Sequence, residues 1–338
     1  MSKNIVICLD GTWNDNDDPN AMSNVALLHD MSVNDRVKQI TYYDKGVGTS
    51  GWYDKKLGGV HGVGLSENIR EAYAYLARIY EENDNVFIFG FSRGAYTARS
   101  LAGVLYQCGL VHVSDNLSSE VDKLYEVYKD KDKQKMEAYK SSNRVCPIQM
   151  LGVWDTVGAL GIPISFLKES SAKLFSFHDT KLNPEVKFAC HAVAVDEKRE
   201  SFQPTLWHET EENRDRIKQV WFPGVHSDVG GGYPQRHHSD VSLKWMIDQA
   251  KSHGLMIKED AGYEYKIDLK ENIHDSALEI FGIEIGVKQR EAPVTVENIP
   301  KVHWSVRVKM KLRRDYKPLA LIKHMTDPNT LAPYEIEE

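Results

Sequence analysis

Short apolar runs alternate with segments of helical periodicity through the first two-thirds of this chain of 338 residues. The run Val86–Phe89 is bulky and unbroken by polar residues, which is typical of a strand buried on both faces of a parallel sheet. The pattern predicts strands near 4–9, 38–43, 86–89, 145–154, 186–195 and 217–222, and helices near 24–31, 65–82, 95–105, 117–140 and 241–253. Such alternation predicts an α/β fold with a mostly parallel central sheet and helices on both faces.

Beyond about Leu255 the pattern weakens. The stretch HWSVRVKMKLRRDY alternates in part and predicts an edge strand or a hairpin, and the ending TLAPYEIEE is typical of a tail. Because no repeat or linker divides the chain, we expect one domain over 1–338, with a less regular C-terminal extension at 255–338.

A serine stands between two glycines where the third predicted strand gives way to a helix. The segment Gly90-Phe91-Ser92-Arg93-Gly94 has the form G-x-S-x-G, in the strand–turn–helix context that a nucleophile elbow needs. The elbow glycines Gly90 and Gly94 avoid collisions that side chains would make with the neighbouring strand and helix. The helix that follows directs its positive end at Ser92, so the pattern predicts a nucleophilic serine.

The partners of Ser92 should follow other strands, since the carboxyl ends of parallel strands share one edge of the sheet. His226 lies just past the strand at 217–222, in a loop with three glycines, and is the best candidate base. Two aspartates compete as the acid that orients the histidine. Asp155 is favoured, because its apolar neighbours suit a buried carboxylate. Asp196 is the alternative acid, and the charges of residues 197–199 after it are typical of an ion-paired surface corner.

Four other histidines fit the base less well. His208 and the pair His237 and His238 are weaker candidates, with the pair expected to be exposed, and His191 lies in mid-strand, where a core role is the simpler interpretation.

The turn after the first strand, Asp10-Gly11-Thr12, could supply part of an oxyanion hole. A backbone N–H from Gly11 or Thr12 would act with that of Arg93, the residue after the nucleophile. An Asx turn that only shapes the loop is the alternative for Asp10.

Composition narrows the classes of protein that remain. A formal net charge of −7 and a pI near 6.0, without a basic stripe, argue against nucleic acid as a partner. The four cysteines are far apart and predict reduced core residues, with no zinc spacing. The sequence predicts neither a signal peptide nor a transmembrane segment, so we expect cytoplasmic synthesis, with signal-independent secretion left open.

Five stretches occur together that are more specific than the serine motif alone. They are CLDGTWND, GFSRGAYTARSLAG, GVWDTVGALG, HAVAVDEKRESFQPTLW and WFPGVHSDVGGGYP, between Asn4 and Tyr233. They resemble a family of bacterial and fungal α/β hydrolases that includes the first family of antibacterial phospholipase effectors of type VI secretion. The resemblance implies a triad of Ser92, Asp155 and His226, ester hydrolysis without a cofactor or metal, and release of fatty acid from glycerophospholipids. An immunity or secretion partner is compatible with it.

A lipid substrate requires an apolar cleft or cover. Residues 156–180 combine leucine, isoleucine and phenylalanine with polar residues, which predicts a lid or cap insertion, with an ordinary packing helix as the alternative. Trp52 and Tyr53, in a glycine-rich loop, fit a peripheral membrane contact or loop packing equally. Three hypotheses remain: a phospholipase A-type serine hydrolase, a carboxylesterase on small soluble esters, and a non-enzymatic interaction module.

Overall fold

One sheet of parallel strands organises the part of the chain that the computed structural model describes, residues 2–11, 21–46, 60–157, 181–276, 286–295 and 298–338. The strands are β1 Asn4–Leu9, β2 Gln39–Asp44, β3 Asn85–Phe91, β4 Ile148–Trp154, β5 Ala189–Ala194, β6 Ile217–Phe222, β7 Lys301–His303 and β8 Glu335–Glu337. Their spatial order is β2-β1-β3-β4-β5-β6-β7-β8, and each neighbouring pair is parallel. This confirms the α/β fold with a mostly parallel sheet.

Helices cover both faces of the sheet. They are α1 Asn24–Met31, α2 Val60–Ile79, α3 Arg93–Cys108, α4 Leu117–Lys129, α5 Lys133–Ser142, α6 His226–Gly230, α7 Ser239–Ser252, α8 Trp304–Leu312 and α9 Leu319–Ile322. Alternate residues of β1 face opposite layers, as the period of two in a strand requires. Ile5 and Ile7 pack in the layer of α2–α5, whereas Val6 and Cys8 pack in the layer of α1 and α7. In the described part of the chain, no helix is both long and apolar enough to cross a bilayer.

The topology brings the candidate residues to one edge of the sheet. The chain passes from β1 to β2 on one side and then to β3 on the other, so β1 and β3 flank a topological switch point, where ligands of open parallel sheets bind. Asp10, Ser92 and Asp155 directly follow β1, β3 and β4, and His226 follows β6. Ser92 and its predicted partners therefore lie at one common edge of the sheet.

Two predictions for residues near the end of the chain differ from the structure. The edge strand or hairpin predicted from His303 onward is wrong, because residues 304–312 form helix α8. Ser305, Val306 and Lys309 are buried on this helix, and the His303 side chain caps its first turn. The expected tail is also wrong, because Glu335–Glu337 pairs with β7 in parallel. The Tyr334 hydroxyl anchors this strand through hydrogen bonds to the carbonyl groups of Ala292 and Leu321.

Two predicted features lie wholly or largely outside the described residues. The lid or cap at 156–180 is described only as far as Val157, and Trp52 and Tyr53 fall in the undescribed range 47–59. Both remain predictions from the sequence.

Candidate active site

Ser92 occupies a strained turn between β3 and α3. Its φ and ψ are 57° and −119°, a region that residues with a side chain rarely adopt. The flanking glycines make the turn possible, because a Cβ at Gly90 would collide with the carbonyl of Gly94, and one at Gly94 with the carbonyl of Leu9. Ser92 precedes the first residue of α3, and its hydroxyl makes no capping hydrogen bond to that helix. The geometry is that of a nucleophile elbow.

His226 lies beside this elbow and is buried. It is the first residue of α6, and its ring lies 4.7 Å from the ring of Phe91, which directly precedes Ser92. Phe202 packs edge-on against its other side, with ring centroids 4.9 Å apart. Gly230 leaves room for Phe91 here, since a Cβ at that position would overlap the phenylalanine ring. Two aromatic rings thus flank the imidazole, and one of them belongs to the elbow.

Asp155 is paired with this imidazole. Its Oδ2 lies 2.6 Å from His226 Nδ1, and its side chain is wholly buried. The backbone N–H of Ala194 donates to Oδ1 at 2.9 Å. The Nδ1 contact places the donor hydrogen on Nδ1 and leaves Nε2 as the basic nitrogen.

Arg290 is a partner of Asp155 that the sequence analysis missed. Its Nη1 donates to Asp155 Oδ1 at 2.7 Å and its Nη2 to Oδ2 at 2.9 Å, in a bidentate pair with no solvent exposure on either side chain. The guanidinium also donates to the carbonyl groups of Ala194 and Phe202. With Ala194, His226 and both arms of Arg290 as donors, the carboxylate has filled its usual capacity of about four hydrogen bonds. No local sequence pattern predicts this role of Arg290, because the residue lies in an irregular segment 135 residues after Asp155.

The pKa values of Asp155 and His226 both lie below their usual ranges, for different reasons. Burial alone would raise the pKa of Asp155, but the Arg290 guanidinium and the hydrogen bond from His226 hold it well below its usual range. Burial lowers the pKa of His226, and the attraction of Asp155 opposes that shift without reversing it. Near neutral pH the site therefore holds an ionised acid and a neutral base, which is the state that general-base catalysis requires.

The charged corner after β5 is not a solvated surface. Glu197 is fully buried, and its Oε2 accepts the backbone N–H of His226 at 3.2 Å. Arg199 donates hydrogen bonds to the same carboxylate, from Nε at 2.9 Å and from Nη2 at 2.7 Å. Burial opposes ionisation of Glu197, but Arg199 brings its pKa to about 2. The corner is ion-paired as expected, yet it lies against the histidine backbone.

Asp196 points elsewhere. Its Oδ2 accepts the backbone N–H of Gly224 at 2.7 Å and the hydroxyl of Tyr316 at 2.9 Å. Burial raises its pKa to about 7. Asp155, and not this alternative acid, is the carboxylate hydrogen-bonded to His226.

The turn after β1 packs against the nucleophile. A Cβ placed on Gly11 would lie 3.2 Å from Ser92 Cβ and 3.8 Å from its Oγ. The Gly11 N–H, however, donates to Asp10 Oδ1 at 2.7 Å, as in the Asx-type alternative, while Tyr43 and Ser23 hold the other oxygen. Thr12 lies outside the described residues. The oxyanion-hole assignment of Arg93, Gly11 and Thr12 stays a prediction.

The other histidines serve different ends. The expected exposure of His238 is wrong: it is 3% exposed and its Nε2 lies 2.9 Å from Lys309 Nζ. His191 is fully buried and accepts the backbone N–H of Thr156 at 3.0 Å. His208 is exposed. In the described part of the chain, no group of three or more His, Cys, Asp or Glu residues could hold a metal ion.

Fold and site together define an α/β hydrolase. A family model described as "T6SS, Phospholipase effector Tle1-like, catalytic domain" matches residues 3–249. The chain belongs to this family and is therefore a hydrolase of the lipase and esterase type. The match ends before Arg290, β7 and β8.

Individual relatives are more distant. The Saccharomyces cerevisiae "Uncharacterized protein YEL023C" is 29% identical over 230 residues, 60% of this chain and 32% of the yeast protein, so the chain spans about a third of that relative. A crystal structure of an uncharacterized protein from Pseudomonas aeruginosa has a TM-score of 0.55 at 19% identity, covering 80% of this chain and 49% of the other. A structure of the Tle1 effector bound to the VgrG spike from the Type 6 secretion system has a TM-score of 0.40 at 21% identity, with 69% and 51% covered.

Proposed function

We propose that this protein is a serine hydrolase that cleaves the carboxylic esters of glycerophospholipids, in the manner of a phospholipase A. The observation that carries the proposal is the buried pair of His226 and Asp155 beside Ser92, which is held in the strained backbone of a nucleophile elbow. The choice of phospholipid among esters follows the family to which residues 3–249 belong.

The reaction begins with proton transfer. His226 Nε2 takes the hydroxyl proton of Ser92 as the oxygen attacks the ester carbonyl. Asp155 holds the Nδ1–H tautomer and stabilises the imidazolium that forms. The leaving alcohol then receives the proton from His226, and an acyl group remains on Ser92.

Charge on the carbonyl oxygen is stabilised at the start of α3. Backbone N–H groups in the first turn of a helix have no acceptor within that helix, and the helix dipole adds positive potential there. The Arg93 N–H occupies this position, and the turn at Gly11 and Thr12 is the predicted second donor. Water, activated by His226, then releases the fatty acid and restores Ser92.

The deciding experiment measures fatty-acid release from phospholipid vesicles, with a short soluble ester assayed in parallel. Ser92→Ala should lower both activities by several orders of magnitude, because the remaining groups cannot form an acyl-enzyme. Ser118→Ala, an exposed serine on α4, is the matched control and should keep wild-type rates. Folding is compared by thermal unfolding of all three proteins.

Each outcome separates the hypotheses. Vesicle hydrolysis that disappears in Ser92→Ala supports a phospholipase. Turnover of the soluble ester alone moves the function to a carboxylesterase. Absence of both activities in the wild-type chain favours the interaction module.

A further inference from the structure

Residues 307–323, near the C-terminus, carry a net charge opposite in sign to that of the whole chain. Residues 307–323 contain seven lysines and arginines and a single acidic residue, Asp315, a net charge of +6 in a protein whose formal charge is −7. Asp315 binds Arg313, and Lys323 binds Glu291. Four further cations, Arg307, Lys311, Arg314 and Lys317, make no ion pair with any residue that the structure describes.

Apolar side chains stand among these cations. Leu312, Leu319 and Ile322 are 46%, 53% and 38% exposed. Arg307 and Lys311 are four residues apart on α8, so they repel one another along one helical face. We call Arg307, Lys311, Leu312, Arg314, Lys317, Leu319 and Ile322 the basic surface. Like charges side by side with exposed leucines are unfavourable in water alone and favour an anionic partner with an apolar interior.

One part of the basic surface lies close to the candidate histidine. Tyr316, within the same segment, donates to Asp196, which binds the Gly224 N–H two residues before His226. Lys317 and Leu319 line a cavity of about 340 Å³ together with Val225, the residue before His226. A planar partner on this surface would therefore face the edge of the sheet that carries the triad.

We propose that the basic surface docks the protein on bilayers of anionic phospholipid, with the cations at the head groups and the leucines inserted between them. The choice of a lipid occupant rests on the proposed function. Each lysine or arginine near an anionic membrane contributes about 1 kcal/mol, so the surface should bind electrostatically and weaken with salt.

The test uses the full chain with Ser92→Ala, so that vesicles stay intact. Co-sedimentation is measured with phosphatidylcholine vesicles that contain or lack phosphatidylglycerol, at low and physiological ionic strength. Lys311→Glu, Arg314→Glu and Lys317→Glu together should weaken binding to the anionic vesicles by at least about 100-fold. Lys123→Glu, Lys133→Glu and Lys187→Glu, three exposed lysines elsewhere, change the net charge equally and should weaken it far less.

The outcomes also separate docking from catalysis. Equal loss of binding in both triple variants, or a wild-type surface that ignores phosphatidylglycerol, overturns the proposal. A protein that docks through the basic surface but releases no fatty acid in its active form keeps the docking proposal and refutes the phospholipase.

Arg290 contacts both carboxylate oxygens of Asp155 and lies outside the basic surface. We infer that Arg290 is a positioning residue for the catalytic acid, locking both oxygens of Asp155 while its charge limits the attraction between Asp155 and His226. The segment that carries it is tied to the triad corner by the Glu200 N–H to the Gly286 carbonyl at 2.7 Å and by the Lys288 N–H to the Lys198 carbonyl at 2.8 Å.

The charged groups around His226 make this role measurable. Asp155 and Glu197 favour the protonated imidazole, whereas Arg199 and, through Asp155, Arg290 disfavour it. Removing the Arg290 charge leaves Asp155 with the Ala194 N–H and His226 as donors and no paired arginine, so the histidine should hold its proton to higher pH. A lysine keeps the charge but cannot donate to both oxygens as a planar fork.

The His226 titration is followed by NMR in the Ser92→Ala chain, which needs no substrate and is independent of the proposed reaction. Arg290→Met should raise the pKa of His226 by about one unit or more, and Arg290→Lys by much less. In the active chain, Arg290→Lys should lower kcat about tenfold with little movement of the acid limb, because the carboxylate is held less firmly. Arg236→Met removes another buried arginine, paired with Asp240, and should leave the His226 titration in place.

An unmoved pKa in Arg290→Met, or an equal upward shift in Arg236→Met, contradicts the inference. If Arg290→Met does not fold, Arg290→Lys decides alone: wild-type kcat in that variant overturns the positioning role.

Discussion

Two aspartates follow neighbouring strands of the same sheet and meet opposite fates. Asp155, after β4, is wholly buried and receives Arg290, His226 and the Ala194 N–H. Asp196, after β5, receives hydrogen bonds from two neutral donors among the described residues, the Gly224 N–H and the Tyr316 hydroxyl. Both lose hydration, but Asp155 gains a paired guanidinium, whereas Lys309 offsets only part of the burial effect on Asp196. The pKa of Asp155 is therefore depressed, while that of Asp196 rises to about 7. Burial by itself therefore does not decide whether a carboxyl group is ionised; a cation paired with it does.

The largest effect is expected from Asp155→Asn. An asparagine cannot stabilise the imidazolium or enforce the Nδ1–H tautomer, so kcat should fall by roughly 10³- to 10⁴-fold. Steady-state kinetics on the soluble ester measure the loss. A decrease no greater than that of Asp196→Asn would contradict the assignment of Asp155.

Stability must be controlled in that variant. Asp155→Asn leaves the buried Arg290 charge without its carboxylate, which costs about 3–5 kcal/mol in comparable pairs. The double variant Asp155→Asn with Arg290→Met removes both charges and should recover part of the free energy of unfolding without recovering activity. Activity restored in the double variant would break the account.

A smaller effect is expected from Glu197→Gln, which tests the charged corner that follows Asp196. The neutral amide binds Arg199 less strongly and holds the His226 N–H less firmly, so the imidazole should lose some of its orientation. We expect kcat to fall about tenfold, although Ser92 itself is unaltered in this variant. Wild-type kinetics would show that Glu197 serves only the fold.

The smallest effect on activity is expected from Asp196→Asn, within about threefold of wild type. Its amide oxygen can still accept from Gly224 and Tyr316. A carboxyl whose pKa is raised in the folded state loses stability as the pH rises from its unfolded pKa, near 4, to its folded pKa, about 7. The variant should therefore gain up to about 4 kcal/mol in unfolding free energy at pH 8 and nothing near pH 4.

Chemical denaturation at the two pH values measures this gain. Equal effects at both pH values would show that Asp196 is not protonated more readily in the folded protein.

The sequence predicts most where patterns are local. Asn24–Met31 and Ile217–Phe222 were predicted with the bounds that the structure has, because a short period and clear flanks define each element. The stretch after His303 misled, because its alternation suits a strand while tertiary packing of Val306 and Lys309 selects a helix.

The site residues also differ in how far a local sequence pattern predicts them. Ser92, Asp155 and His226 stand at strand ends, so topology alone brings them to one edge. Arg290 reaches Asp155 from an irregular segment 135 residues away, and no periodicity encodes that contact. The run of charges at residues 197–199 predicts an ion-paired surface corner, and the ion pair is present. The sequence pattern does not encode the burial of Glu197, which accepts hydrogen bonds from the His226 N–H and the distant Ser276 hydroxyl.

The most direct test of the triad is covalent trapping with an alkyl fluorophosphonate, followed by intact-mass measurement and peptide mapping. An activated serine should take up one equivalent of the probe on Ser92. Labelling should be absent in Ser92→Ala and strongly slowed in His226→Ala and Asp155→Asn. A wild-type chain that stays unlabelled, or that carries the adduct on another residue while Ser92 remains free, would contradict a serine hydrolase built on this elbow.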